Sequence, residues 1–156
     1  MKKTAAVMAL IAIMIMTLCA CGNDSGQTAD NETYIVDGIS YSLGSEWVYD
    51  DEGKSFSVPS SKWATYSIAD GEDLNCSSAA DRLATFPPDG SDGIDKETIE
   101  INGTDALLTA EPVNEIMYYQ VYFYADGQEH MFSYEMPFEE NPIEKYTIEF
   151  MDSISW

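Results

Sequence analysis

From Tyr34 onward, apolar and polar positions alternate in short runs separated by turn residues. Tyr34-Ile35-Val36, then Asp37-Gly38, then Ile39-Ser40-Tyr41-Ser42-Leu43 predicts two short strands around a two-residue turn. Ile39, Tyr41 and Leu43 alternate with serines, so one face of that hairpin is buried. Trp47 follows a Gly-Ser-Glu turn, and Asp50-Asp51-Glu52-Gly53 forms an acidic loop. Phe56 to Val58 and Trp63 to Ile68 read as further strands, interrupted by Pro59.

Two longer hairpins follow. Thr98–Ile101 and Asp105–Ala110 flank Asn102-Gly103, the strongest short hairpin signal. Met117–Tyr124 and Gln128–Met136 flank Asp126-Gly127. With Asp126-Gly127 as a two-residue turn, His130 faces Phe123. It then shares a face with Met117, Tyr119, Val121, Phe132, Tyr134 and Met136, a core pattern. The other face carries Tyr118 opposite Glu135, Gln120 opposite Ser133, Tyr122 opposite Met131 and Tyr124 opposite Glu129.

Two segments carry helical rather than strand periodicity. Over 75–86, Cys76, Ala79, Ala80, Leu83 and Phe86 fall on one helical face; Asp73 or Asn75 offers a cap and Pro87-Pro88 ends the run. Over 142–156, Ile143, Tyr146, Phe150 and Ile154 form a stripe. Asn141-Pro142 starts that helix, and Glu139, Glu140 and Glu144 suit its positive end. Hairpins plus two helices predict an α+β domain, an antiparallel β-sheet packed by helices. Gly38–Leu43 with Trp47, the aromatic hairpin turning at Asp126-Gly127 and the closing Phe150-Met151-Asp152-Ser153-Ile154 resemble small extracytoplasmic proteins of the PsbP-like fold. The resemblance implies an α/β/α sandwich over about residues 34–156, with a binding or accessory role and no shared catalytic residues.

The N-terminus changes the picture. Lys2 and Lys3 precede an apolar run from Ala5 to Met16, and Leu18-Cys19-Ala20-Cys21 follows in the pattern of a lipobox. Residues 1–21 read as a lipoprotein signal, with Cys21 lipidated and acylated as the new N-terminus. A membrane-spanning anchor needs about 20 apolar residues, and the run from Thr4 to Ala20 falls short. Residues 22–32 hold one apolar side chain, Ala29, and read as a flexible tether; residues 33–156 form a single domain. The chain carries a net charge of −21, which becomes −23 once Lys2 and Lys3 leave with the signal. Such a surface excludes nucleic acid as a partner, because phosphate binding relies on Lys and Arg. It also leaves the lipid, not headgroup charge, to hold the membrane.

Candidate chemistry is sparse. Cys76 is the one cysteine left in the mature domain, so no intrachain disulfide forms, and His130 is the single histidine. A Cys76–His130 nucleophilic pair needs the two side chains in hydrogen-bond reach, and the core register of His130 argues against it. Asp89, Asp92 and Asp95 sit in a Gly-containing loop without the remaining ligand pattern of an EF-hand. Glu100 and Asp105 face each other across the Asn102-Gly103 turn. No phosphate-binding, dinucleotide or hydrolase motif is present, so no catalytic residues, metal or cofactor are assigned. The expected function is a monomeric, lipid-anchored extracytoplasmic module of the bacterial cell envelope that binds a protein or small molecule and is not an enzyme. The alternatives are a small cell-surface hydrolase using Cys76 or acidic residues, and a weakly calcium-binding structural module. The nearest candidate site is Tyr118, Tyr122, Tyr124 and Met131, an aromatic face apolar in body and wet at the edge. The competing reading is that a helix covers this face and the tyrosines are second-layer core.

Overall fold

The computed structural model describes residues 31–69, 74–88, 90–137 and 145–156. The signal, Cys21, most of the tether, Asp73, Asp89, Asn141-Pro142, Ile143, Glu139, Glu140 and Glu144 lie outside the described residues. No helix among the described residues is long and apolar enough to cross a membrane.

β1 (Glu32–Val36) and β2 (Ile39–Leu43) form the first hairpin, joined by β10 (Ile154–Ser155) into a three-stranded sheet in the order β1-β2-β10. β1 starts at Glu32, the last residue read as tether. A seven-stranded antiparallel sheet carries the rest. It comprises β3 (Val48–Asp50), β4 (Ser55–Ser57), β5 (Thr65–Ile68), β6 (Asp95–Ile101), β7 (Thr104–Val113), β8 (Ile116–Ala125) and β9 (Gln128–Pro137), in the order β3-β4-β5-β9-β8-β7-β6. The two long hairpins take the registers expected from their turns: Glu100 pairs with Asp105, and Phe123 with His130. The reason is local. Asn102 and Gly103 have φ of 49° and 75°, and Asp126 and Gly127 have φ of 49° and 78°. Two successive left-handed residues make the tight turn whose twist matches paired strands, and Asn, Asp and Gly enter that region most cheaply.

Both helices are shorter than their periodicity predicts. α1 spans Ala79–Leu83, capped by Ser78, whose hydroxyl accepts from Asp81 N–H. Asn75 is not the cap, and the Cys76 N–H is held by the Glu129 carboxylate at 3.1 Å instead of entering a helix. The predicted stripe fails as well: Ala79 is buried and Phe86 half-buried, but Ala80 and Leu83 face solvent. α2 spans Lys145–Ser153. It ends where Ser153 Oγ donates to the Phe150 carbonyl at 2.7 Å and Ile154 leaves the helix to pair with Tyr41. Sequence periodicity cannot distinguish a last helical turn from an extended residue that buries the same side chain, and Ile154 is buried either way.

The core lies between one face of the large sheet and a cover made of the small sheet and α2. Phe56, Tyr66, Leu108, Tyr119, Val121, Phe123, Phe132 and Tyr134 point to that face, and Ile39, Tyr41, Leu43, Trp47 and Phe150 meet them. Phe150 is the hub. Its ring centroid lies 4.6 Å from Tyr66, 5.0 Å from Phe132, 5.5 Å from both Tyr41 and Phe56, and 5.8 Å from Trp47. The buried Thr147 hydroxyl is satisfied by Tyr66 Oη at 2.9 Å, and Trp47 Nε1 donates to Glu149 Oε1 at 2.9 Å. Phe150→Ala is expected to cost about 3–5 kcal/mol in denaturant unfolding, as truncation of a buried aromatic does. A loss under about 1 kcal/mol would place this ring outside the core.

Candidate functional site

The second face of the large sheet is built in rows, because directly paired residues share a face. One row is Leu107, Tyr122 and Met131; the next is Thr109, Gln120, Ser133 and Ser67; the third is Glu111, Tyr118 and Glu135. From the first of these rows to the third, the side chains run from apolar through uncharged polar to acidic, and the cover thins in that order; the Tyr124–Glu129 pair lies on the other side of the first row.

α1 packs over the apolar row. Ala79, Leu107 and Tyr122 form a small buried cluster, with Leu74, Phe86, Tyr124 and Met131 against it. What fastens α1 is charge. Arg82 Nε donates to Glu129 Oε1 at 2.8 Å and its Nη2 to Oε2. Glu129 also accepts from Tyr124 Oη at 2.8 Å and from Cys76 N–H at 3.1 Å. The Arg82 guanidinium lies 4.8 Å from the Tyr122 ring centroid, a cation–π contact. The Glu129 side chain is 0% exposed and that of Arg82 is 14% exposed. Burial alone pushes the Glu129 carboxyl up, but the bonds from Arg82, Tyr124 and Cys76 outweigh it and hold the group below its ordinary value of 4.5. The hydrogen bonds to Glu129 raise the Arg82 pKa, and burial followed by the bond to Glu129 raises that of Tyr124.

Beside this clamp a cleft runs along the Asp126-Gly127 turn, lined among others by Asp37, Lys54, Cys76, Glu129 and His130. Cys76 and His130 reach it from opposite faces of the hairpin. The Cys76 backbone binds Glu129, while the His130 ring stacks on Phe123 at 5.3 Å and burial lowers its pKa from 6.5. In the loop ahead of β6, Asp92 is engaged by Lys96 Nζ at 2.9 Å and by Ile94 N–H at 3.2 Å, and Asp95 is exposed at the start of β6. No group of three acidic, Cys or His side chains that would hold a metal occurs among the described residues.

Beyond the middle row the face opens. Thr109 and Ser133 are still buried, but Glu111 and Glu135 are exposed and Tyr118 is half-buried. Two adjoining depressions of about 870 and 490 Å³ lie there, and Lys62, Trp63, Tyr118 and Glu135 line both. Lys62 Nζ sits 4.4 Å from the Trp63 ring centroid. The four residues singled out in sequence therefore divide. Tyr122, at 7% exposed, is covered by α1 and Arg82; Tyr124 and Met131 are half-buried against the same cover; Tyr118 stands on the open half. Sequence reasoning missed Arg82–Glu129 and Trp63. The signal for the first was faint, the sole arginine of the chain in a helical segment; Trp63 reads as the start of a strand in the sequence, but β5 begins only at Thr65, which leaves Trp63 in the turn before it.

No protein-family model and no curated protein matches the sequence. The fold is similar to that in the solution structure of cyanobacterial PsbP (CyanoP) from Synechocystis sp. PCC 6803, with a TM-score of 0.50 at 13% identity over 88% of this chain and 98% of that one. The domain is thus an α+β domain with a PsbP-like fold.

The clamp yields a prediction. Arg82→Met strands a buried carboxylate and is expected to cost about 3–5 kcal/mol, whereas Arg82→Met with Glu129→Met recovers most of that loss. Because Glu129 titrates below 4.5 when folded, the stability it contributes is complete above 4.5 and is lost as pH falls through its lower folded value. The double variant is expected to lose that part of the acid sensitivity in unfolding titrations. Equal losses in the single and double variants would contradict the clamp.

Proposed function

We propose that the chain is a lipid-anchored, extracytoplasmic binding module of the bacterial cell envelope that meets its partner on the open half of the second sheet face. The observation that carries this reading is that Lys62, Trp63, Tyr118 and Glu135 line both depressions on the part of that face that α1 leaves bare among the described residues. Rings with polar tips beside charged side chains suit a surface that is wet when free and apolar when bound. The two halves of the face have separate tasks: the Arg82–Glu129 clamp fastens the cover, and the bare half binds.

The sequence supports the anchor. A lipid on Cys21 holds the protein against an anionic surface that its charge would otherwise leave, and two or three acyl chains suffice for stable attachment. The ten residues 22–31 ahead of β1 span at most about 33–36 Å, enough to lift the domain clear of the headgroups. Intact-mass measurement on the native membrane fraction is expected to show a diacylglyceryl adduct on a chain beginning at Cys21. A mature chain with another start and no lipid would remove the anchor from this reading.

The binding half is tested by stability. Tyr118→Ala is expected to change the unfolding free energy by no more than about 1 kcal/mol, against about 3–5 kcal/mol for Tyr122→Ala, since only the second ring is enclosed. Equal costs would mean that Tyr118 is core and the surface does not exist.

A further inference from the structure

Resting on that reading of the open half, we infer that the group it recognises is a cation: a lysine or arginine side chain on an extended segment of a protein partner. Three observations converge. First, the ring face of Trp63 already takes an ammonium, since Lys62 Nζ lies 4.4 Å from its centroid. Lys62 itself is exposed, so it yields that place at little cost. Second, Tyr118 is flanked across the strands by Glu111 and Glu135, and Glu115 lines the larger depression. Neighbouring strands are about 4.8 Å apart, so the backbones that carry the two flanking glutamates stand about 10 Å from each other, with Tyr118 on the strand between them. Aromatic faces bordered by carboxylates are the chemistry that selects ammonium and guanidinium groups. Third, the chain has few cations of its own to offer such a surface. Of the five beyond the signal, Lys54, Arg82 and Lys96 sit in ion pairs with Asp37, Glu129 and Asp92, and Lys62 and Lys145 lie over Trp63 and Tyr146. The field around the depressions is therefore negative, and it steers positive partners inward. The joint volume of the two depressions admits more than a single side chain, which suits an extended segment.

The test is calorimetric titration of the full mature chain, in detergent, with hexalysine, hexaglutamate and maltohexaose. Hexalysine alone is expected to bind, more weakly at 200 mM salt than at 50 mM. Trp63→Ala and Glu135→Gln are each expected to weaken it about five- to tenfold. Lys62→Ala, which changes an exposed residue and need not disturb the fold, is expected to tighten it several-fold by vacating the ring. Hexalysine binding that is indifferent to all three substitutions overturns the inference, because it then reflects bulk acidity alone. So does weaker binding to Lys62→Ala, or no binding at all. If maltohexaose binds instead and Trp63→Ala abolishes it, the cation inference falls while the open half stands as a binding surface. If no ligand responds to Trp63→Ala, the surface reading falls with it.

Discussion

A seven-stranded sheet at about 4.8 Å per strand spacing is about 29 Å across, and each of its faces needs cover wherever the sequence makes it apolar. Among the described residues the two covers are unequal. The first face receives a three-stranded sheet and α2, meeting around Phe150. The second receives α1, whose five residues span about 7.5 Å. That mismatch dictates the rest. Where α1 reaches, the sheet presents Leu107, Tyr122 and Met131; past the buried hydroxyls of Thr109 and Ser133, it presents the carboxylates of Glu111 and Glu135 and Tyr118. The side chains grade from apolar to acidic along the same direction in which the cover runs out.

A five-residue helix does not stand by itself, since nucleation is costly and most helical stability comes from packing. The Arg82–Glu129 pair supplies what its length cannot. It is buried, it closes two hydrogen bonds, and the remaining acceptor capacity of Glu129 is taken up by Tyr124 and the Cys76 N–H. A buried pair of this kind contributes little net stability against an apolar equivalent, but breaking one side of it is expensive. It therefore acts as a fastener of position: it ties the segment ahead of α1, the helix itself and the β8–β9 hairpin to one carboxylate. In a chain of 28 acids and seven bases, the only arginine is committed to the interior together with one carboxylate, so the pair withdraws one charge of each sign and the surface keeps its net negative charge.

Much of this was legible in the sequence because hairpins are local. Asn102-Gly103 and Asp126-Gly127 set the registers of four long strands, and the alternation around them assigned both faces. The helices were less legible because their limits depend on tertiary partners. Cys76 leaves the helical path for a carboxylate 53 residues away, and Ile154 leaves it to pair with β2. The candidate face was visible as a row of tyrosines, but its division was not. No local pattern says that α1 stops at Leu83, so nothing along the chain separated Tyr118 from Tyr122. Trp63 was invisible as a site residue for a related reason: it lies in a turn before β5, and only the sheet order, which sets β5 beside β9, brings it to Tyr118 and Glu135.

One sheet face is half covered by the described residues, and chemical modification reads that directly. Native protein treated with tetranitromethane and mapped by peptide mass is expected to nitrate Tyr118 readily, while Tyr122, enclosed by α1 and Arg82, and Tyr119, on the core face, stay protected until unfolding. Nitration of Tyr122 at the rate of Tyr118, or protection of Tyr118 to the level of Tyr122, would contradict the account.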